Sequence, residues 1–256
     1  MKSFKTYVVA FLVFQFLLFN YNFSNAQSDI NQTTKDIFNT GGNLFGINGA
    51  TVARAFSSNE GNVFGTQLLD TVWREATIKL YKKIGTPGRE SDSIAGVPVR
   101  YDIYNNDFEI IVNSKRDIRG LNGQNVRYFV LFYGLEKTPR TYLNVAEFKA
   151  VEQITGFMEL LATGKATLLE QTKLSVTKST FNAALNTGTK DVRIVKTPNY
   201  YYVKNNEIFK LGNTKKKVIE ALSDKEPDIK KWLDTNDIKF KNSADLARLF
   251  AYYNTL

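Results

Sequence analysis

Val97-Pro98-Val99-Arg100-Tyr101-Asp102-Ile103-Tyr104, then Asn105-Asn106, then Asp107-Phe108-Glu109-Ile110-Ile111-Val112 is the stretch that decides the fold. Apolar side chains fall on odd positions before the two asparagines and on even positions after them, which is the period of a strand with one buried face. Asparagine tolerates the positive φ of a tight turn, so the segment predicts a β-hairpin. A two-residue turn at Asn105-Asn106 pairs Ile103 with Phe108, Tyr101 with Ile110 and Val99 with Val112, and it sets Asp102 opposite Glu109. Sliding the pairing by one residue mixes the two faces, whereas sliding it by two preserves them. Parity leaves both of these registers open.

The same signal recurs outward from this hairpin. Tyr200-Tyr201-Tyr202-Val203-Lys204, Asn205-Asn206 and Glu207-Ile208-Phe209-Lys210-Leu211 predict a second hairpin with Lys204 opposite Glu207. Val126 to Phe132, Thr141 to Val145, Gly156 to Leu161 and Ala166 to Val176 read as further strands, the last two flanking Thr163-Gly164-Lys165. After Gly212 the apolar period lengthens toward 3.6: Val218, Ile219 and Leu222, then Ile229, Trp232 and Leu233, then Leu246, Leu249, Phe250 and Tyr253. Pro227 suits a first helical turn, and Asn242 or Ser243 can cap the last helix. The predicted class is α+β: an antiparallel β meander of about eight to ten strands over 63–212, a sandwich or half-barrel, with C-terminal helices over 213–256 packed on it. Two separate domains are the alternative.

The N-terminus carries Lys2 and Lys5, an apolar run from Tyr7 to Phe19 interrupted by Gln15, and small residues at Ser24 and Ala26. This pattern predicts a signal peptide over 1–26, cleaved between Ala26 and Gln27, because the run is shorter than the roughly 20 residues of a membrane span. Residues 27–62, rich in Asn, Gln, Ser, Thr and Gly, read as a flexible polar leader. The expected product is exported, to the periplasm, the cell surface or the medium, and does not span a membrane after cleavage.

The 256 residues include 34 Lys and Arg against 25 Asp and Glu, with no cysteine and no histidine. Disulfides, thiolate nucleophiles, zinc-thiolate sites, imidazole bases and histidine metal ligands are thereby excluded. An exported chain without disulfides points to a bacterial envelope.

Gly65 to Trp73, Gly96 to Asn106, Gly156 to Leu169 around Gly164-Lys165-Ala166, and the ending Phe250-Ala251-Tyr252-Tyr253-Asn254 resemble a family of exported Bacteroidota proteins with no established activity. The resemblance spans about Gly65 to Leu256. It implies location and architecture and supplies no catalytic motif.

Among chemistry-bearing residues, Asp102 and Glu109 form a cross-strand carboxylate pair in the first register. Such a pair repels unless it is solvated, bridged by a cation or sharing a proton, and it could serve glycoside hydrolysis. A solvated face beside Arg100 is the plainer account. Ser91, Ser93, Ser175 and Ser179 have no nucleophile-elbow pattern around them. Lys215-Lys216-Lys217 and Lys230-Lys231 read as a solvated helix face rather than a nucleic-acid surface. Asp70-Thr71-Val72 and Asp92-Ser93-Ile94 match an O-glycosylation pattern of Bacteroidota envelopes, with Ser93 read as lying in a projecting turn. The expected function is a non-enzymatic envelope protein that binds another envelope protein or a glycan, without a cofactor and without nucleic acid. A carboxylate-dependent glycan hydrolase and a carrier of an apolar ligand are the rivals.

Overall fold

Residues 32–41, 45–46, 61–112, 117–150, 153–182 and 184–256 are described by the computed structural model. The predicted signal segment, with Ala26 and Gln27, lies outside them. The described chain is α+β. Its strands are β1 (Phe45–Gly46), β2 (Val63–Phe64), β3 (Arg74–Ile84), β4 (Ser91–Asp102), β5 (Asp107–Ile111), β6 (Ile118–Asn122), β7 (Val126–Tyr133), β8 (Thr138–Asn144), β9 (Lys149–Ala150), β10 (Phe157–Ala162), β11 (Thr167–Thr177), β12 (Val192–Lys204) and β13 (Glu207–Lys210). Four helices join them: α1 (Gln32–Thr40), α2 (Lys215–Ala221), α3 (Glu226–Thr235) and α4 (Ser243–Thr255).

All the strands belong to one sheet, ordered β1-β6-β5-β4-β3-β7-β8-β10-β11-β12-β13-β9, with β2 beside β12. Two runs of antiparallel neighbours spread from β3, one through β4, β5 and β6, the other through β7, β8 and β10 to β13. Only the short β2 and β9 pair in parallel, with β12 and β13.

The sheet must curl, and chain length says why. β6 ends at Asn122 and β7 begins at Val126, yet β5, β4 and β3 stand between them in the sheet. Four strand spacings amount to about 19 Å when flat, whereas four residues reach at most about 14 Å. The 3-10 turn Gly123–Asn125 therefore closes a bend that brings distant strands together. Phe108 on β5 lies 4.9 Å from Phe129 on β7, centroid to centroid, and Tyr101 on β4 lies 5.3 Å from Phe157 on β10. The half-barrel expectation thus describes this end of the sheet.

The concave side of the curl holds the first core, built on Ile78, Ile94, Phe108, Ile110, Leu121 and Phe129. The reading of 27–62 as a flexible leader is corrected within its described parts. Ile37 and Phe38 of α1 and Phe45 of β1 are buried in this core, and three such groups offset the polarity of their neighbours. The Thr34 hydroxyl bonds the backbone of Ala95 beside Gly96, which has φ 70° and no partner on β3, as a G1 bulge does.

A second core sits where α2, α3 and α4 cover Leu168 and Tyr200. A smaller cluster on the opposite face of the same strands contains Met158, Leu169, Tyr201 and Ile208. Tyr200 and Tyr201 are thus buried on opposite faces of a strand covered on both sides. α4 is capped by Asn242, whose side chain accepts from the Asp245 amide at 3.0 Å. Its far end is tied to the β10–β11 turn by Asn254, which accepts from the Ala166 amide at 2.9 Å and donates to the carbonyls of Thr163 and Ala166 at 3.0 Å.

Both hairpins form. In the second, Lys204 pairs with Glu207, and Asn205 and Asn206 take φ of 51° and 66° as a type I′ turn demands. In the first, the structure adopts the register displaced by two: Tyr101 pairs with Phe108, Val99 with Ile110, Arg100 with Glu109 and Asp102 with Asp107.

Candidate functional site

The displaced register dissolves the carboxylate pair expected at Asp102 and Glu109. Asp102 is wholly buried and serves the turn it precedes. Its carboxylate accepts from the amides of Tyr104 at 2.9 Å and Asn105 at 3.0 Å, from the Asn105 side chain at 2.9 Å, and from Gln67. Turn closure is the physical reason for the shift, because a four-residue turn lets one acid satisfy four donors. Glu109 instead faces Arg100, which donates to it through Nε at 2.7 Å and also through Nη2. The Arg100 guanidinium lies 4.2 Å over the Trp73 ring. Burial, then the Asp102 charge, pushes the Asp107 carboxyl above its ordinary value.

A genuine cross-strand carboxylate pair stands elsewhere. Phe129, Tyr142, Glu159, Glu170 and Tyr200 form one row of directly paired residues across β7, β8, β10, β11 and β12. Phe129 belongs to the first core and Tyr200 to the second, so Glu159 and Glu170 occupy the seam between two apolar bodies. Tyr142 Oη donates to Glu159 at 3.3 Å, and Arg140 Nη1 lies 3.7 Å from the other carboxylate oxygen. The same arginine lies 4.6 Å over the Tyr133 ring, which Arg74 also approaches at 4.8 Å. The Tyr200 hydroxyl donates to the Lys241 carbonyl at 3.1 Å.

Burial pushes the Glu159 carboxyl up, and Arg140 and the Tyr142 hydroxyl offset only part of that rise. Glu170 is likewise raised, by burial first and then by the Glu159 charge across the ladder. Tyr200 is pushed up to about 12 by burial and by Glu170. Both shifts run the same way, each acid holding its proton more tightly than an exposed carboxyl does. The sequence held a signal for this pair, since Glu159 and Glu170 are equidistant from the Gly164-Lys165 turn.

Beside Glu170 opens a recess lined by Tyr101, Tyr142, Phe157 and Thr172, with room for about one water molecule. It offers an apolar ligand no volume. Among the described residues, no group of three or more acidic side chains gathers as for a metal ion.

Thr71 is exposed, in the bend before β3. Ser93, expected in a projecting turn, lies inside β4 opposite Lys79, half-buried, with its hydroxyl 3.3 Å from the Lys79 ammonium. Access for a glycan therefore favours Thr71. Of the lysine cluster, Lys215 pairs with Asp234 at 3.0 Å and Lys217 with Glu220 at 3.1 Å, as on a solvated helix face.

One structural feature had no sequence signal. β11 and β12 pair from Thr167–Val203 out to Thr177–Arg193, but β10 follows β11 only as far as Glu170, and β13 meets β12 only from Tyr201 onward. Residues 171–177 and 192–199 thus run past the body as a two-stranded ribbon, joined near its end by β2. Lys196 donates to the Leu69 carbonyl at 3.1 Å, anchoring the inner face, and Pro198 blunts the exposed edge.

Protein-family models, curated proteins and solved structures give no match to this chain.

Proposed function

We propose that this is a non-enzymatic exported protein that binds another component of the cell envelope. One observation carries this reading: beyond Glu170 and Tyr201 the β11–β12 ribbon runs on without β10 or β13 beside it, and its outer face is exposed. A two-stranded ribbon is marginal on its own, so its length calls for a use outside the core. Export is supported by the signal-like N-terminus and the family resemblance. No described helix is long and apolar enough to cross a membrane.

A second reading, a carboxylate-dependent glycan hydrolase, draws on Glu159 and Glu170. One carboxyl held protonated beside an ionised one is what glycosidic cleavage asks for. Against it, the recess beside Glu170 holds about one water and no sugar ring.

The two readings separate by experiment. The exported protein is sedimented with isolated envelope fragments, alongside a variant whose ribbon tip, residues 180–188, is replaced by a short Gly-Ser linker. Loss of sedimentation in that variant, with an unchanged melting curve, is the expected result. Glycan turnover that disappears in Glu159→Gln or Glu170→Gln would overturn the binding reading in favour of the hydrolase.

A further inference from the structure

From the charge and apolar character of the ribbon, we infer that its outer face and tip seat on an anionic lipid surface. This assignment rests on the binding reading above and names its partner. In an antiparallel pair, side chains of directly opposed residues share a face. Lys173, Ser175 and Thr177 on β11 therefore share the outer face with Thr197, Val195 and Arg193 on β12, and Phe64 of β2 joins them opposite Arg193. Phe64 is 48% exposed, Val195 is 56% exposed, and Leu185 at the tip is 69% exposed.

Cations accompany these groups. The Arg193 guanidinium lies 5.5 Å from the centre of the Phe64 ring, and the Lys190 ammonium lies 4.3 Å from that of Phe181. From Gln171 to Asn199 the chain carries five bases and one acid. That acid, Asp191, accepts from the Asn62 amide at 3.1 Å. The C-terminal helices differ, because there lysines sit among matching acids.

Charge alone would suit any polyanion. The exposed Leu185, Val195 and Phe64 decide for lipid, because a soluble polyanion gives them no apolar medium, whereas the boundary between headgroups and acyl chains does. Lysine and arginine can then extend their heads to lipid phosphates while their stems stay among apolar neighbours. The anchored inner face holds the ribbon stiff for such seating.

The test uses the exported full chain and vesicles of phosphatidylcholine, with or without one third phosphatidylglycerol. Co-sedimentation with the anionic vesicles only, weakened by salt, is expected. Arg193→Glu combined with Lys173→Glu should lower the partition coefficient by tenfold or more, given that each cation near such a surface contributes about fivefold. Leu185→Ser, which adds no charge, should lower it by about tenfold through lost apolar burial. Equal binding to neutral vesicles, or binding that none of these substitutions alters, overturns the assignment. So does displacement by heparin together with an indifferent Leu185→Ser, which would mark the ribbon as a polyanion site. Tip-dependent sedimentation with envelope fragments but none with anionic vesicles rejects the lipid while the binding reading stands. Melting curves of the variants, expected to match the parent, separate lost binding from lost fold.

Discussion

At the scale of single residues, Asp102 and Glu170 are acids with opposite circumstances. Asp102 is buried among four hydrogen-bond donors that its carboxyl oxygens satisfy, so it holds the turn together. Glu170 is buried opposite another acid, so its charge opposes the fold. A carboxyl whose pKa is higher in the folded chain than the ordinary 4.5 binds its proton more tightly when folded. The stability contributed by Glu159 and Glu170 is therefore whole below that ordinary value and is lost as pH rises through the folded one. Asp70, Asp92 and Asp224 are lowered, each with a cationic partner, and act in the reverse sense. The difference between parent and variant isolates the pair from these. Glu170→Gln should raise the melting temperature at pH 7 by about 1 to 3 °C and leave it nearly unchanged at about pH 4. A variant that melts lower than the parent at pH 7 would show that the Glu170 charge is needed where it stands.

At the scale of elements, α4 is the piece on which the second core depends. Leu246, Leu249, Phe250 and Tyr253 recur at helical spacing, and all four are buried against Leu168, Tyr200 and the other helices. Leu249→Asp places a charge where no partner can reach it, a change of the kind that costs several kcal/mol out of a typical net stability of about 5 to 15. Truncation after Lys241 removes the whole stripe and the Asn254 tie to the β10–β11 turn. Urea titration should show a lower midpoint for Leu249→Asp, and the truncated chain should give no cooperative transition. A truncated protein with the parent's midpoint would mean that α4 is detachable.

At the scale of the whole molecule, the two cores share a single sheet. β8 and β10 pair at three consecutive residues across the junction, and the ladder from Phe129 to Tyr200 crosses it without a break. Exposing either core would strip one face of strands that the other core also uses. One thermal transition is therefore expected, with calorimetric and van't Hoff enthalpies equal. Two resolved peaks would identify the halves as independent units, the alternative of separate domains.

Local chemistry made much of this legible in the sequence. Period-two alternation marked both hairpins, the Asn205-Asn206 turn fixed the second, helical spacing with Asn242 as cap specified α4, and the missing cysteine and histidine removed most catalytic chemistry. These are short-range effects, written in neighbouring residues. Three matters belonged to the tertiary structure. Parity could not choose between registers two residues apart; the bonds that Asp102 makes within the four-residue turn, together with one from Gln67, 35 positions away, settled it. Ile37, Phe38 and Phe45 gained a place only because the sheet curls to cover them, so a polar-looking segment became part of a core. The ribbon, finally, follows from where neighbouring strands stop, a relation between segments that no single stretch of sequence carries.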